Sequence, residues 1–80
     1  MSEQEYIPMA RRRKIEEATM RLRLERNRRL AESDIYIVAD RWELYSNDQK
    51  QAWADYRQAL RDLPTTTADV SNPIWPSKPA

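Results

Sequence analysis

"QKQAWADYRQALRDLP", residues 49–64, decides how this chain folds. Trp53, Tyr56, Leu60 and Leu63 stand at i, i+3, i+7 and i+10, which places them on one face of a helix. Ala52 and Ala59 lie beside that stripe, and Asp48, Lys50, Asp55, Arg57 and Arg61 lie mostly around the other sides. Just upstream, Ser46 and Gln49 have the Ser-x-x-Gln spacing of a capping box, in which two side chains satisfy two free backbone donors at a helix start. Pro64 sets the expected stop, because the residue before a proline is pushed out of the α region. The spacing predicts a helix over 47–63 with a narrow aromatic stripe.

Working outward, residues 33–45 read "SDIYIVADRWELY". Ile35 to Val38 form a β-prone run too short to make a sheet alone. We read it as an extended connector whose Ile and Val fill gaps between helices, the alternative being a lone strand added to a partner's sheet. Asp34 and Asp40 bracket the run, and local side-chain caps are expected at both ends.

Before the connector, Met9 to Ala31 are rich in Arg, Glu, Leu, Met and Ala, all good helix formers, with no Gly and no Pro after Pro8. Pro8 sits where a first-turn proline is tolerated. This reads as one helix with a thin apolar stripe of Ile15, Ala18, Leu22 and Leu30, interrupted by charge around Arg26. Such a stripe buries little by itself. The helix is therefore expected to dock on a partner or on copies of itself, or to stand in solvent supported by pairs such as Glu17 with Arg21 and Glu25 with Arg29.

After Pro64 the chain reads "TTTADVSNPIWPSKPA", which is expected to be extended or polyproline-like. Trp75, between Ile74 and Pro76, is expected to fold back near Trp53 and Tyr56, where an aromatic pair adds about 0.5 to 1.5 kcal/mol beyond area burial.

Composition narrows the function. A domain of this size buries only about 60% of its unfolded surface, so help from a partner or from self-association is expected. There is no Cys, which excludes disulfides and thiolate metal sites, and no His, which removes the usual general base and the commonest transition-metal ligand. The carboxylates Asp34, Asp40, Asp55 and Asp62 have no EF-hand spacing, and the chain has no Gly for a tight metal loop. No catalytic residue, metal site or cofactor site is expected.

The start, MSEQEYIPMA, has no apolar h-region, and no run approaches the roughly 20 apolar residues of a membrane span, so a soluble, intracellular protein without membrane contact is expected. The net charge of +1 hides an uneven split, nine Arg/Lys against three Glu in residues 11–29 and five against eight acids in residues 30–80. A basic helix could track phosphates. The interleaved Glu residues and the lack of an aromatic residue for base stacking disfavour nucleic acid.

The run "ERNRRLAESDIYIVADRWELYSNDQKQAWADYRQALRDLP", followed by "NPIWPSKP", resembles the bacteriophage tail assembly chaperone family, whose segments also appear at the C-termini of tail-fibre proteins. The likeness covers about residues 25–79. Trp53, Tyr56, Arg57, Leu60, Arg61, Asp62, Pro64, Trp75 and Pro76 match the pattern, as do Asp34 and Asp40. Ile35 stands where the family usually has Trp, and "RWELYSN" replaces a shorter Pro-containing link, with Trp42 a substitute for the missing aromatic.

The resemblance implies a small non-catalytic structural or adaptor protein of a phage tail or tail fibre. The alternatives are a transient assembly chaperone absent from the virion and, apart from the resemblance, a basic-helix nucleic-acid binder. Its partners would be a tail, baseplate or tail-fibre protein, with a homo-oligomer through the N-terminal helix also open, and its location the virion tail or the host cytoplasm during assembly. The expected fold is mostly α, with a long N-terminal helix in residues 1–32 and a module in residues 33–80 made of the connector, the helix 47–63 and the extended tail 64–80. Trp53, Tyr56, Leu60 and Trp75 are expected to hold the module, and Arg57 and Arg61 to pair with Asp34, Asp40 or a partner's acids.

Overall fold

A computed structural model describes residues 9–79, and Pro8 lies outside them. Three helices follow one another: α1 at Met9–Asp34, the single turn α2 at Ala39–Trp42, and α3 at Asn47–Thr66. No strand occurs among the described residues. The β-prone run at Ile35 to Val38 is a turn instead, because the Ile35 and Tyr36 amides donate to the carbonyls of Glu32 and Ser33 and carry the chain off the end of α1.

α1 and α3 pack side by side. They run antiparallel, since Arg57 reaches Ser33 while Arg61, one turn further along α3, accepts a bond from Arg26, further back on α1. The apolar stripe of α3 makes the core: Trp53, Tyr56, Leu60 and Leu63 are buried. Leu30, Tyr36, Ile37, Trp42, Tyr45 and Trp75 close around Trp53, Tyr56 and Leu60. Ala52 and Ala59 stay exposed, so the buried stripe is as narrow as the aromatic positions alone.

The start of α3 forms as its spacing predicts. Ser46 Oγ accepts from the Gln49 amide at 3.1 Å, and Gln49 Oε1 accepts from the Ser46 amide at 2.8 Å. The end does not. Pro64 was expected to stop the helix at residue 63, but α3 runs on to Thr66 with Pro64 inside it. A proline removes only its own bond to the carbonyl four residues back, and here the final turn is held by other donors. Thr65 Oγ1 donates to the Asp62 carbonyl, Thr66 Oγ1 to that of Leu63, and the Thr67 amide closes the end on Leu63.

Beyond α3 the chain reverses at Asp69. Its carboxylate accepts from the Ser71 amide at 3.0 Å and from Asn72 Nδ2 at 3.1 Å, and its carbonyl accepts from the Asn72 amide. Those bonds, first the one from Asn72, hold the Asp69 carboxyl below its ordinary value. The tail then runs along α1. Val70, Ser71, Pro73 and Trp75 lie by Ala18, Arg21, Leu22 and Glu25, and Lys78 reaches Glu32.

The dimensions follow from unequal helix lengths. The radius of gyration is 17.0 Å and the extents are 57 × 18 × 17 Å, against about 12 Å for a compact domain of this length. Residues 9–17 of α1 are all exposed and extend past the cover of α3 and the tail, which begins at Ala18.

Candidate protein-docking site

The connector is built so that its apolar residues divide between the core and the surface. Tyr36 turns inward and stacks on Trp53, with ring centroids 4.8 Å apart and an interplanar angle of 15°. Trp53 in turn meets Tyr56 edge-on at 5.8 Å. Ile35, Val38 and Leu44 remain in solvent at 57%, 50% and 84% exposure. Ile37 and Trp42 from the connector, with Ala54, Arg57, Gln58 and Arg61 from α3, line an open groove of about 360 Å³. It has an apolar floor and two guanidinium groups at its side.

Arg57 is the fixed member of that pair. Its Nη1 donates to Asp34 Oδ1 at 2.7 Å, to the Leu30 carbonyl at 3.3 Å, and to Ser33 Oγ. Ser33 is 1% exposed and itself donates to the Leu30 carbonyl at 2.6 Å. The last turn of α1 contains no basic residue, and its orphan carbonyls need donors. Arg57 brings a cation there from the neighbouring helix, and its charge suits the negative end of the α1 dipole.

Arg61 is exposed and forms no ion pair among the described residues, so of the two arginines only Arg57 meets Asp34. Asp40 is exposed in the first turn of α2; among the described residues it pairs with no cation, and it does not cap, since Val38 is the N-cap and carries no side-chain bond. The local cap expected there is absent because Asp40 falls inside the turn rather than before it. Asp34 likewise bonds across to α3 rather than capping locally. Asp62 is exposed and accepts from Gln58 Nε2 at 3.0 Å.

Trp75 packs at the edge of the Trp53, Tyr56 and Leu60 cluster, and Pro76 beside it is half-buried. The aromatic partner expected for Trp75 is replaced by a cation: the Arg29 guanidinium lies 4.3 Å from its ring centroid. Arg29 is oriented for this by Glu25, which accepts from its Nε at 2.8 Å. Glu25 also takes Arg28 Nη2 at 2.7 Å, and bonds from Arg28 and then Arg29 pull its carboxyl down to about 2. Glu17 and Arg21, the other pair expected on α1, form no ion pair.

The stripe assigned to docking on α1 is divided by the fold. Ala18 and Leu22 are buried beneath the chain's own tail, and Leu30 packs on the core. Ile15 alone of the set is exposed, at 44%. The sequence reading missed Ser33 and the role of Arg29 on the tail. Ser33 lies eleven residues after Leu22, three helical turns on the same face, and that spacing was the available signal.

A family model described as phage tail assembly chaperone protein matches residues 19–80. The chain belongs to that family. No curated protein and no solved structure matches it. The match takes in the covered part of α1, the connector with its groove, α3 and the tail, and it begins where the tail's cover begins. Membership gives this phage tail assembly chaperone family protein a role in building a phage tail through contacts with tail proteins. No helix among its described residues is long and apolar enough to cross a membrane, and those residues hold no group of three or more candidate metal ligands.

Proposed function

We propose that the protein is a non-catalytic assembly factor that holds an apolar segment of an unassembled tail or tail-fibre protein on the groove between the connector and α3. The observation that carries this reading is the open groove lined by Ile37, Trp42, Arg57 and Arg61, on a connector that also leaves Ile35, Val38 and Leu44 exposed. An open groove of this kind shields a segment without enclosing it, and release then needs no unfolding of the holder. Arg61, which forms no ion pair among the described residues, is available to a carboxylate on the captured segment.

The second reading is a structural adaptor retained in the finished tail. It is favoured by the exposed first third of α1, residues 9–17, which stands clear of the module and is available for lasting contacts.

Quantitative mass spectrometry on gradient-purified particles separates the two. Absence from particles, with the protein bound to a tail or fibre subunit in infected-cell lysate, is expected for the assembly factor. A fixed copy ratio to the tail subunits gives the adaptor reading instead. Binding of a purified tail subunit that is unchanged by Trp42→Ala and by Arg61→Glu would remove the groove from either reading.

A further inference from the structure

We infer that copies of this chain associate head to tail, with the outer face of α1 of one copy lying on the outer face of α3 of the next. The inference does not depend on whether those copies leave or stay in the particle.

The two faces are complementary in shape and charge. On α1, Met20 and Leu24 are four residues apart, and Met9 lies three turns before Met20, so the three share a side. That side is opposite the buried Ala18 and Leu22, since Leu24 is two residues, or about 200°, round from Leu22. Met9, Met20 and Leu24 are 67%, 64% and 63% exposed. Arg13 lies on the same face, with Arg23 and Glu16 at one side of it and Glu17 at the other, in a stretch of α1 where Arg11, Arg12, Arg13, Lys14, Arg21 and Arg23 outnumber Glu16 and Glu17 and form no ion pair among the described residues.

On α3, Asp48, Asp55 and Asp62 repeat every seven residues on the side away from the core and away from the groove. Ala52 and Ala59, also seven apart and both exposed, lie next to them. Asp55 and Asp62 accept only from Gln51 and Gln58, and none of the three acids has a cation within pairing distance among the described residues. Long Met and Leu side chains over alanines allow close helix approach, and arginines then fall beside aspartates. The lengths agree as well. Met9 to Leu24 spans about 22 Å of helix and Asp48 to Asp62 about 21 Å.

A symmetric pairing of α1 with α1 would set two net-positive stretches against each other, so charge selects the unlike faces. In a pair so formed, one copy keeps its α3 face free and the other its α1 face. Such heterologous contacts close into rings or run on as filaments.

Sedimentation velocity of the full chain, from micromolar to millimolar concentration, tests this. The mass at low salt is expected to rise with concentration past a dimer, and to fall back in about 0.5 M NaCl as the charges are screened. Leu24→Asp and Ala59→Arg, each at an exposed position and checked for helicity by circular dichroism, are each expected to be monomeric alone. Mixed in equal amounts they are expected to stop at a one-to-one dimer, because each supplies the face the other lacks. If Ala59→Arg disturbs α3, Asp55→Arg provides the same defect. A wild-type chain monomeric at every concentration, self-association undiminished by either α3 variant, or a mixture that stays monomeric would each overturn the inference.

Discussion

Arg57 joins the two long helices at one point, and its bonds separate burial from charge. Asp34 is exposed, with 64% of its side chain in solvent, so the ion pair at 2.7 Å is screened and contributes little. Ser33 is buried and depends on Arg57 for a donor. Arg57→Ala is therefore expected to destabilise by about 3 kcal/mol, through lost charge-assisted bonds and the buried Ser33 hydroxyl left without its donor. Asp34→Asn is expected to cost less than about 1 kcal/mol. Urea denaturation of both variants checks the order, and equal losses would make the ion pair the source of the effect. Trp53→Ala removes the ring on which both Tyr36 and Tyr56 rest, and a loss of about 3 to 5 kcal/mol, read as failure of soluble expression or of cooperative unfolding, is expected. The apolar residues at this scale were legible because helical spacing reports a shared face. For Ser33 the same spacing from Leu22 signalled burial but not its bond to Arg57, because a short polar residue gives no sign in sequence that an arginine more than twenty positions away will reach it.

At the scale of elements, local chemistry read well where it stayed local. The capping box was legible because its donors and acceptors lie within four residues, and Ser46→Ala is expected to lower stability by about 1 kcal/mol in thermal melts. The Pro64 stop was misread because threonine hydroxyls and the Thr67 amide, not the residue before the proline, decide where α3 ends. The connector's β propensity yielded to the geometry of leaving α1, with Tyr36 anchored on Trp53. In α1, Glu25 makes acid behaviour predictable. Its carboxyl falls from 4.5 to about 2 on folding, chiefly through its bond from Arg28 and then that from Arg29. A group whose pKa drops on folding stabilises fully above its unfolded value, so this contribution is whole above about 4.5 and is lost as pH falls through about 2. The pair is exposed, so the effect is small and sensitive to salt. Glu25→Gln is expected to flatten that part of the stability profile in low salt, and a variant with an unchanged acid limb would assign the loss to other carboxylates.

For the whole molecule, the sequence reading brought Trp75 back to the Trp53 and Tyr56 cluster but missed that the tail also covers α1. A thin stripe on α1 implied a partner, but Ala18 and Leu22 are covered by the tail, a contact between residues about fifty positions apart that no local pattern announces. The fold is thus a helical hairpin fastened along one seam by its own C-terminal strap, through Trp75 under Arg29 and Lys78 against Glu32 and Tyr36. If the strap fastens α1, then Trp75→Ala should loosen residues it does not adjoin in sequence. Half-burial puts the expected loss at about 2 kcal/mol, below that of a fully buried Trp, and in a domain of this size that is a large share of total stability. Hydrogen exchange locates the effect. In wild-type monomer, amides of residues 9–17 are expected to exchange fast for want of tertiary cover, and those of residues 18–34 slowly. Trp75→Ala is expected to move the boundary toward the C-terminus of α1, exposing Ala18 and Leu22 first, while amides around Trp53 and Tyr56 keep more of their protection. A uniform loss across both helices would mean instead that the strap and the hairpin unfold as one unit, and that the covered part of α1 has no stability separate from the core.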